Sequence, residues 1–185
     1  MQKELHQFLE RANSIYGLFL DATIGFYEWR QNLITQEENI QKQTSSTEND
    51  FNSMPYLYVV KQNDGTIKQL SCWTTLGELK QRLNKKGENH FQIANLSLVM
   101  IYSYWEYFRN KIKKSKKKTI NSDLMGDIRH LRRSIIHNKG LALKEVSSLK
   151  ILPNFNEGTK IEIDEVYFEQ IMILLRNEIK SVNTG

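Results

Sequence analysis

Arginine and histidine crowd one short stretch of this chain: Arg129, His130, Arg132, Arg133 and His137 fall within nine residues. Histidine titrates near neutrality and moves protons, while arginine holds a phosphate through a planar fork of donors. RNA cleavage by internal attack of a 2′-hydroxyl needs such groups. One takes the hydroxyl proton, and a fixed cation stabilises charge on the five-coordinate phosphorus. That chemistry calls for no metal and no cofactor. The same residues also describe an amphipathic helix with a basic outer face, in which His137 sits at the negative end of the helix dipole. Spacing alone leaves both readings open.

Two other segments carry chemical potential. Lys111-Ile112-Lys113-Lys114-Ser115-Lys116-Lys117-Lys118 holds six lysines in eight residues. It is an electrostatic strip for a phosphate backbone, with Lys113 and Lys114 as contacts, or else the solvated end of a long helix. Tyr102, Tyr104, Trp105, Tyr107 and Phe108 form an aromatic cluster that could stack bases, although inside a helical bundle such a cluster is more often core. Glu106 sits among them, and a carboxylate there calls for a partner, such as an arginine of a neighbouring helix. Other signatures are missing from the sequence: no glycine-rich phosphate loop, no Gly-x-Ser-x-Gly elbow and no zinc-ligand spacing. His6, His90, His130 and His137 are too scattered for a metal site.

The elements that must position these residues read as mostly helical. A long helix over residues 1–40 carries Leu5, Leu9, Ala12, Tyr16, Phe19, Thr23, Phe26 and Ile34 at helical spacing, with a break expected near Gly25. Residues 41–55 are rich in Gln, Ser, Thr and Asn and read as a loop, and deletion of 41–53 is expected to cost little stability. Tyr56-Leu57-Tyr58-Val59-Val60 and Thr66-Ile67-Lys68-Gln69-Leu70 flank Asn63-Asp64-Gly65, which predicts a β-hairpin within 56–72. Thr75 with Glu78 signals a capped helix start, and Gly87 its end. A central helix follows over Phe91–Lys117.

Ser122 is the expected cap of the next helix, whose stripe is Leu124, Ile128, Leu131 and Ile135 and whose end is Asn138-Lys139-Gly140. Short extended pieces lie over Leu149–Phe155 and Lys160–Ile163. The last helix, Asp164–Val182, is expected to face Val166, Ile171, Leu174, Leu175 and Ile179 inward. The whole of 1–185 reads as one domain: a mostly α, up-down helical bundle with a small β-hairpin insertion.

A chain of 185 residues with 39% hydrophobic residues buries a sizeable core without disulfides. Cys72 is its only cysteine, which fits a reducing compartment. The polar start Met1-Gln2-Lys3-Glu4 is no secretory signal, and Ile93–Ile112 is interrupted by too many polar residues to span a membrane. A soluble cytoplasmic protein is expected. The net charge of +5 and a pI near 9.2 favour an anionic partner.

The segment Asp127-Ile128-Arg129-His130-Leu131-Arg132-Arg133-Ser134-Ile135-Ile136-His137-Asn138-Lys139-Gly140 resembles the HEPN superfamily. Those domains are helical bundles with an Arg-x4-6-His motif on a late helix, and Arg132 with His137 matches its Arg-x4-His form. His137-Asn138-x-Gly140 matches a frequent ending of the motif. The helix with Tyr102-Ser103-Tyr104-Trp105-Glu106 and the closing helix look like their counterparts, so the resemblance covers Phe91 to the C-terminus. It implies a metal-independent endoribonuclease, acting as a homodimer in which two motifs face each other, and a role as a toxin or antiviral defence effector with an antitoxin or regulatory protein as a further partner. By carry-over His137 handles the proton and Arg132 stabilises the scissile phosphate.

Taken with the basic strip, the expected RNA contacts are Arg129, Arg133, Asn138, Lys113 and Lys114, with Glu106 in support. Residues five apart on an ideal helix point about 140° away from each other, so a two-fold axis near the helix end would help aim both groups at one phosphate. The residue after the motif arginine departs from the usual pattern, being Arg133 where Asn, Asp or His is common. The alternative is a non-catalytic HEPN dimerisation or RNA-binding module. A toxin with a target other than RNA is a third reading.

Overall fold

Apolar residues recurring at three and four positions build most of this chain into helices. Leu5, Phe8, Ala12, Ile15 and Phe19 form one such buried stripe. The architecture comes from a computed structural model that describes residues 2–117 and 119–184, with the side chains at 71, 72, 116 and 181–184 outside the description. Lys118 of the basic strip and the side chains of Lys116, Cys72 and Val182 therefore lie outside the described residues.

Along the chain come α1 (Gln2–Gln43), α2 (Glu48–Ser53), strands β1 (Pro55–Lys61) and β2 (Ile67–Thr75), α3 (Leu76–Arg82), α4 (Glu88–Lys116), α5 (Asp123–His137), a 3-10 turn (Lys144–Ser147) and α6 (Glu165–Thr184). The fold is mostly α with a small β insertion, as expected. Among the described residues no helix is long and apolar enough to cross a membrane.

The chain divides into two compact units, Met1–Ala22 with Phe91–Gly185, and Thr23–His90. The physical reason is that two separate apolar clusters form. In the larger unit, residues of α1, α4, α5 and α6 share a core. There the Phe8 ring lies 5.4 Å from Trp105 and 6.3 Å from Phe108, and Phe19 meets Phe168 edge-on at 4.8 Å. A fully buried phenylalanine of this kind contributes about 2–3 kcal/mol. On α6 the inward face is Phe168, Ile171, Met172, Leu175 and Ile179. Val166 is not part of it and is 77% exposed, because it sits in the first turn, two residues ahead of the stripe that Phe168 opens.

The smaller unit gathers Leu33, Leu79 and Leu83, packed on by Phe26, Trp29, Tyr56 and Leu76. The predicted hairpin is present, with β1 antiparallel to β2 and a register irregularity between Leu57 and Val59. Its turn closes through Gln62 N–H donating to Thr66 O at 2.7 Å, through Asp64 Oδ1 accepting from Thr66 N–H, and through Gly65 at φ +83°. Thr75 caps α3 in a reciprocal box with Glu78, also as predicted.

Helix α3 stops at Arg82 rather than at Gly87. Gly87 instead lies in the turn beyond it, where a Cβ would come within 2.4 Å of the Arg82 carbonyl. Only glycine allows that approach.

The loop expected over 41–55 is largely helical. Helix α1 continues to Gln43 without breaking at Gly25, and α2 occupies Glu48–Ser53. Polar composition hid a second capping box, in which Thr47 accepts from Asp50 N–H and the Asp50 carboxylate accepts from Thr47 N–H. Phe51, the lone apolar residue of α2, is 1% exposed, with the Lys80 ammonium 5.3 Å from its ring. The capping box and the burial of Phe51 give this segment contacts that its polar composition does not announce.

Candidate functional site

The motif helix α5 begins where the Ser122 hydroxyl accepts from Met125 N–H at 2.9 Å. It buries Leu124, Met125, Ile128 and Leu131, and half-buries Ile135. Two polar residues share that inward face, Asp127 and Ser134. The Asp127 carboxylate is 3% exposed and accepts from three backbone N–H groups, those of Lys150, Ile151 and Leu152, at 3.0, 2.6 and 3.0 Å. It also helps to hold the Tyr167 phenol neutral to unusually high pH. Burial is the larger cause there, and the Asp127 charge is the second.

The Ser134 hydroxyl donates to His130 O at 3.2 Å and accepts from Leu143 N–H at 3.1 Å. These two residues staple the middle and the end of the motif helix to the chain that follows it. Neither drew notice in the sequence, yet positions 124, 127, 128, 131, 134 and 135 follow one helical stripe, and a carboxylate on such a stripe is the available signal.

The C-terminal end of α5 is fixed from several sides. Gly140 N–H donates to Ser134 O at 3.2 Å, with Lys139 and Gly140 both left-handed at φ +54° and +78°. Ile161 N–H donates to Gly140 O and Ala142 N–H to Thr159 O, both at 2.8 Å, and Leu141 bridges Lys160. The short extended piece expected at Lys160–Ile163 thus exists to pin the turn behind His137. The piece expected at Leu149–Phe155 forms no strand and winds around the Asp127 carboxylate instead.

Arg132 lies partly buried with its guanidinium 5.4 Å from the centre of the Tyr102 ring of α4. Its Nε is buried and has no hydrogen-bond partner among the described residues. His137 is exposed in the last turn of α5. No hydrogen bond, ion pair or ring contact joins it to Arg132 among the described residues, in keeping with their angular separation on the helix.

Arg133 is exposed and paired with Glu145 at 3.1 Å, so its charge is already answered within the chain. Asn138 is half-buried, and its amide donates to Leu141 O at 2.9 Å. Its observed role is to close the helix end. Glu106 is half-buried and makes no hydrogen bond or ion pair among the described residues. Its carboxylate acts at longer range, raising the Tyr102 pKa second only to burial, while Arg129, Arg109 and Arg132 pull it the other way. Lys113 and Lys114 are exposed on the last turns of α4.

Of the aromatic cluster, Tyr102, Trp105 and Phe108 are core, and Tyr104 and Tyr107 are exposed. Tyr102 faces Arg132 and also lines a cleft of about 370 Å³, bounded by Trp105 and Arg109 of α4, by Arg129 of α5 and by residues 120–123, 125 and 126. Arg109 belongs to this neighbourhood and went unremarked in the sequence. Among the described residues no group of three or more His, Cys, Asp and Glu side chains is arranged to hold a metal ion.

Comparison of the chain with protein-family models, with curated proteins and with solved structures returns no match.

Proposed function

We propose that the protein is a metal-independent endoribonuclease of the HEPN type, working as a homodimer in antiviral defence or as a toxin effector. The observation that carries this reading is the state of Arg132. Its guanidinium is held against an aromatic face, with no carboxylate partner among the described residues, on the same helix as an exposed histidine. A preorganised cation of this kind is suited to charge that develops on a phosphoryl group. His137, held in the last turn of α5 with its side chain exposed, is suited to proton transfer.

In the reaction the substrate 2′-hydroxyl oxygen forms a bond to phosphorus and the P–O5′ bond breaks, leaving a 2′,3′-cyclic phosphate and a 5′-hydroxyl. One imidazole takes the 2′-hydroxyl proton, and the protonated imidazole of the partner's His137 gives its proton to the departing 5′-oxygen. Arg132 answers the charge on the non-bridging oxygens. Arg132 and His137 do not converge within one chain, so the two-fold pairing of motifs is part of the proposal: it supplies both groups to one phosphate. The alternative, a non-catalytic RNA-binding or dimerisation module, draws on the Arg133–Glu145 pair and on the structural roles of Asn138.

Cleavage of labelled single-stranded and structured RNA, with EDTA present, separates the two. The wild type is expected to cut, and His137→Ala and Arg132→Ala are each expected to lose at least 100-fold in rate, on the order of what general acid–base groups and charge stabilisers supply, with melting temperature and dimer mass kept. RNA binding without cutting by the wild type, unchanged in His137→Ala, would hand the case to the module.

A further inference from the structure

The cleft between α4 and α5 combines features that the motif residues do not account for. Two guanidinium groups, Arg109 from one helix and Arg129 from the other, line it together. Among the described residues neither forms an ion pair. The acidic residue in the same lining, Asp123, is neutralised by Lys150 at 2.6 Å. The buried rings of Tyr102 and Trp105 close one side, and Asn121 and Ser122 add polar groups.

Arginines from two elements, without ion-pair partners among the described residues and set beside a buried aromatic wall, form an anion site because their donors are left open. The volume of about 370 Å³ lies within the range of ligand pockets and exceeds what one small inorganic ion fills.

The surroundings indicate which anion. Lys113 follows Arg109 by four residues, so the two share a face of α4 and extend positive charge toward its C-terminal end. On the other side, Tyr102 is common to the cleft and to Arg132. A line of cations thus runs from Lys113 through Arg109 and Arg129 to Arg132. A free phosphate uses one point of such a line, whereas a polynucleotide uses all of it.

We infer that this cleft seats the nucleotide next to the scissile bond of an RNA strand, with Arg109 and Arg129 holding its phosphate. The inference rests on the RNA-cleaving reading of Arg132 and His137, and it assigns Arg109 and Arg129 to substrate positioning.

The probe is a 2′-O-methyl oligoribonucleotide, which binds but cannot be cut, titrated at several salt concentrations into the full chain and its Arg109→Gln/Arg129→Gln variant. The expected result is at least tenfold weaker binding, with the slope of log affinity against log salt smaller by about 0.7, one single-strand phosphate contact. Lysine at both positions should restore most of the slope. Binding within twofold of wild type, in a variant of wild-type melting temperature, overturns the inference. Arg129 is exposed, so Arg129→Gln alone carries the test if the double variant does not fold. Wild type that binds the probe but leaves cleavable RNA intact, beside a double variant that has lost binding, sinks the nuclease reading and keeps the cleft. Wild type and double variant that cut with equal KM sink the cleft and keep the nuclease.

Discussion

Asp127 shows how a single side chain governs the geometry around the motif. Its carboxylate is buried yet satisfied by three backbone N–H groups, and such groups left without an acceptor cost about 1–3 kcal/mol each. Asp127→Ala is accordingly expected to destabilise the fold by roughly 3 kcal/mol or more. For a chain of this length that lowers the melting temperature by roughly 6–12 °C, measurable by calorimetry. A fall of under 2 °C would mean that the 150–152 segment finds other acceptors. Arg133 makes the opposite case. Its pair with Glu145 is exposed on both sides, and exposed pairs contribute little to stability.

At the level of elements, the short helix α2 differs most from its appearance in sequence. Six residues cannot sustain a helix by propensity alone. Its capping box and the burial of Phe51 hold it in place, and Gly77 of α3 leaves room for Asn52, whose Cβ would be 3.0 Å from any Cβ placed there. Phe51→Ala is expected to cost about 3–5 kcal/mol by opening a cavity, as read by urea denaturation. A shift in the midpoint equivalent to less than about 1 kcal/mol would show that the segment behaves as the loop its composition suggests. The motif helix is the reverse case, since its caps, Ser122 at one end and Lys139-Gly140 at the other, are written locally.

For the whole molecule, the larger unit ties the two ends of the chain together. The Tyr16 hydroxyl of α1 donates to the Glu169 carboxylate of α6, and Arg176 of α6 donates to Asn13 at 3.1 Å. Burial first, and the Glu169 bond and charge next, push the Tyr16 phenol up to about 12 from its usual 10.0. Because the folded value is raised, the neutral phenol stabilises the fold fully below pH 10 and loses that contribution as pH climbs toward 12. Melting temperatures taken between pH 9 and 12 should therefore fall less steeply for Tyr16→Phe than for wild type. Parallel curves would refute the linkage. The net charge of +5 acts at this same scale, as a long-range bias toward anions in general that selects none among them.

Local chemistry was enough to place most elements. The hairpin followed from Asn63-Asp64-Gly65 between β-rich runs, α3 from Thr75 and Glu78, and α5 from its cap, stripe and terminating glycine, because each signal acts within a few residues. Arg132 and His137 were likewise legible as chemically suited groups on one helix, but their pairing came from the resemblance and not from their spacing. What partners them was not. That Arg132 lies on Tyr102, that Arg133 is taken by Glu145, and that Asn138 closes the helix end all depend on contacts between residues 3 to 30 positions apart. The cleft joining Arg109 to Arg129 is of the same kind, since residues twenty apart meet only when α4 and α5 pack. The division into two units has the same origin: periodicity marks which face of a helix is apolar, and only packing decides which of two cores that face joins.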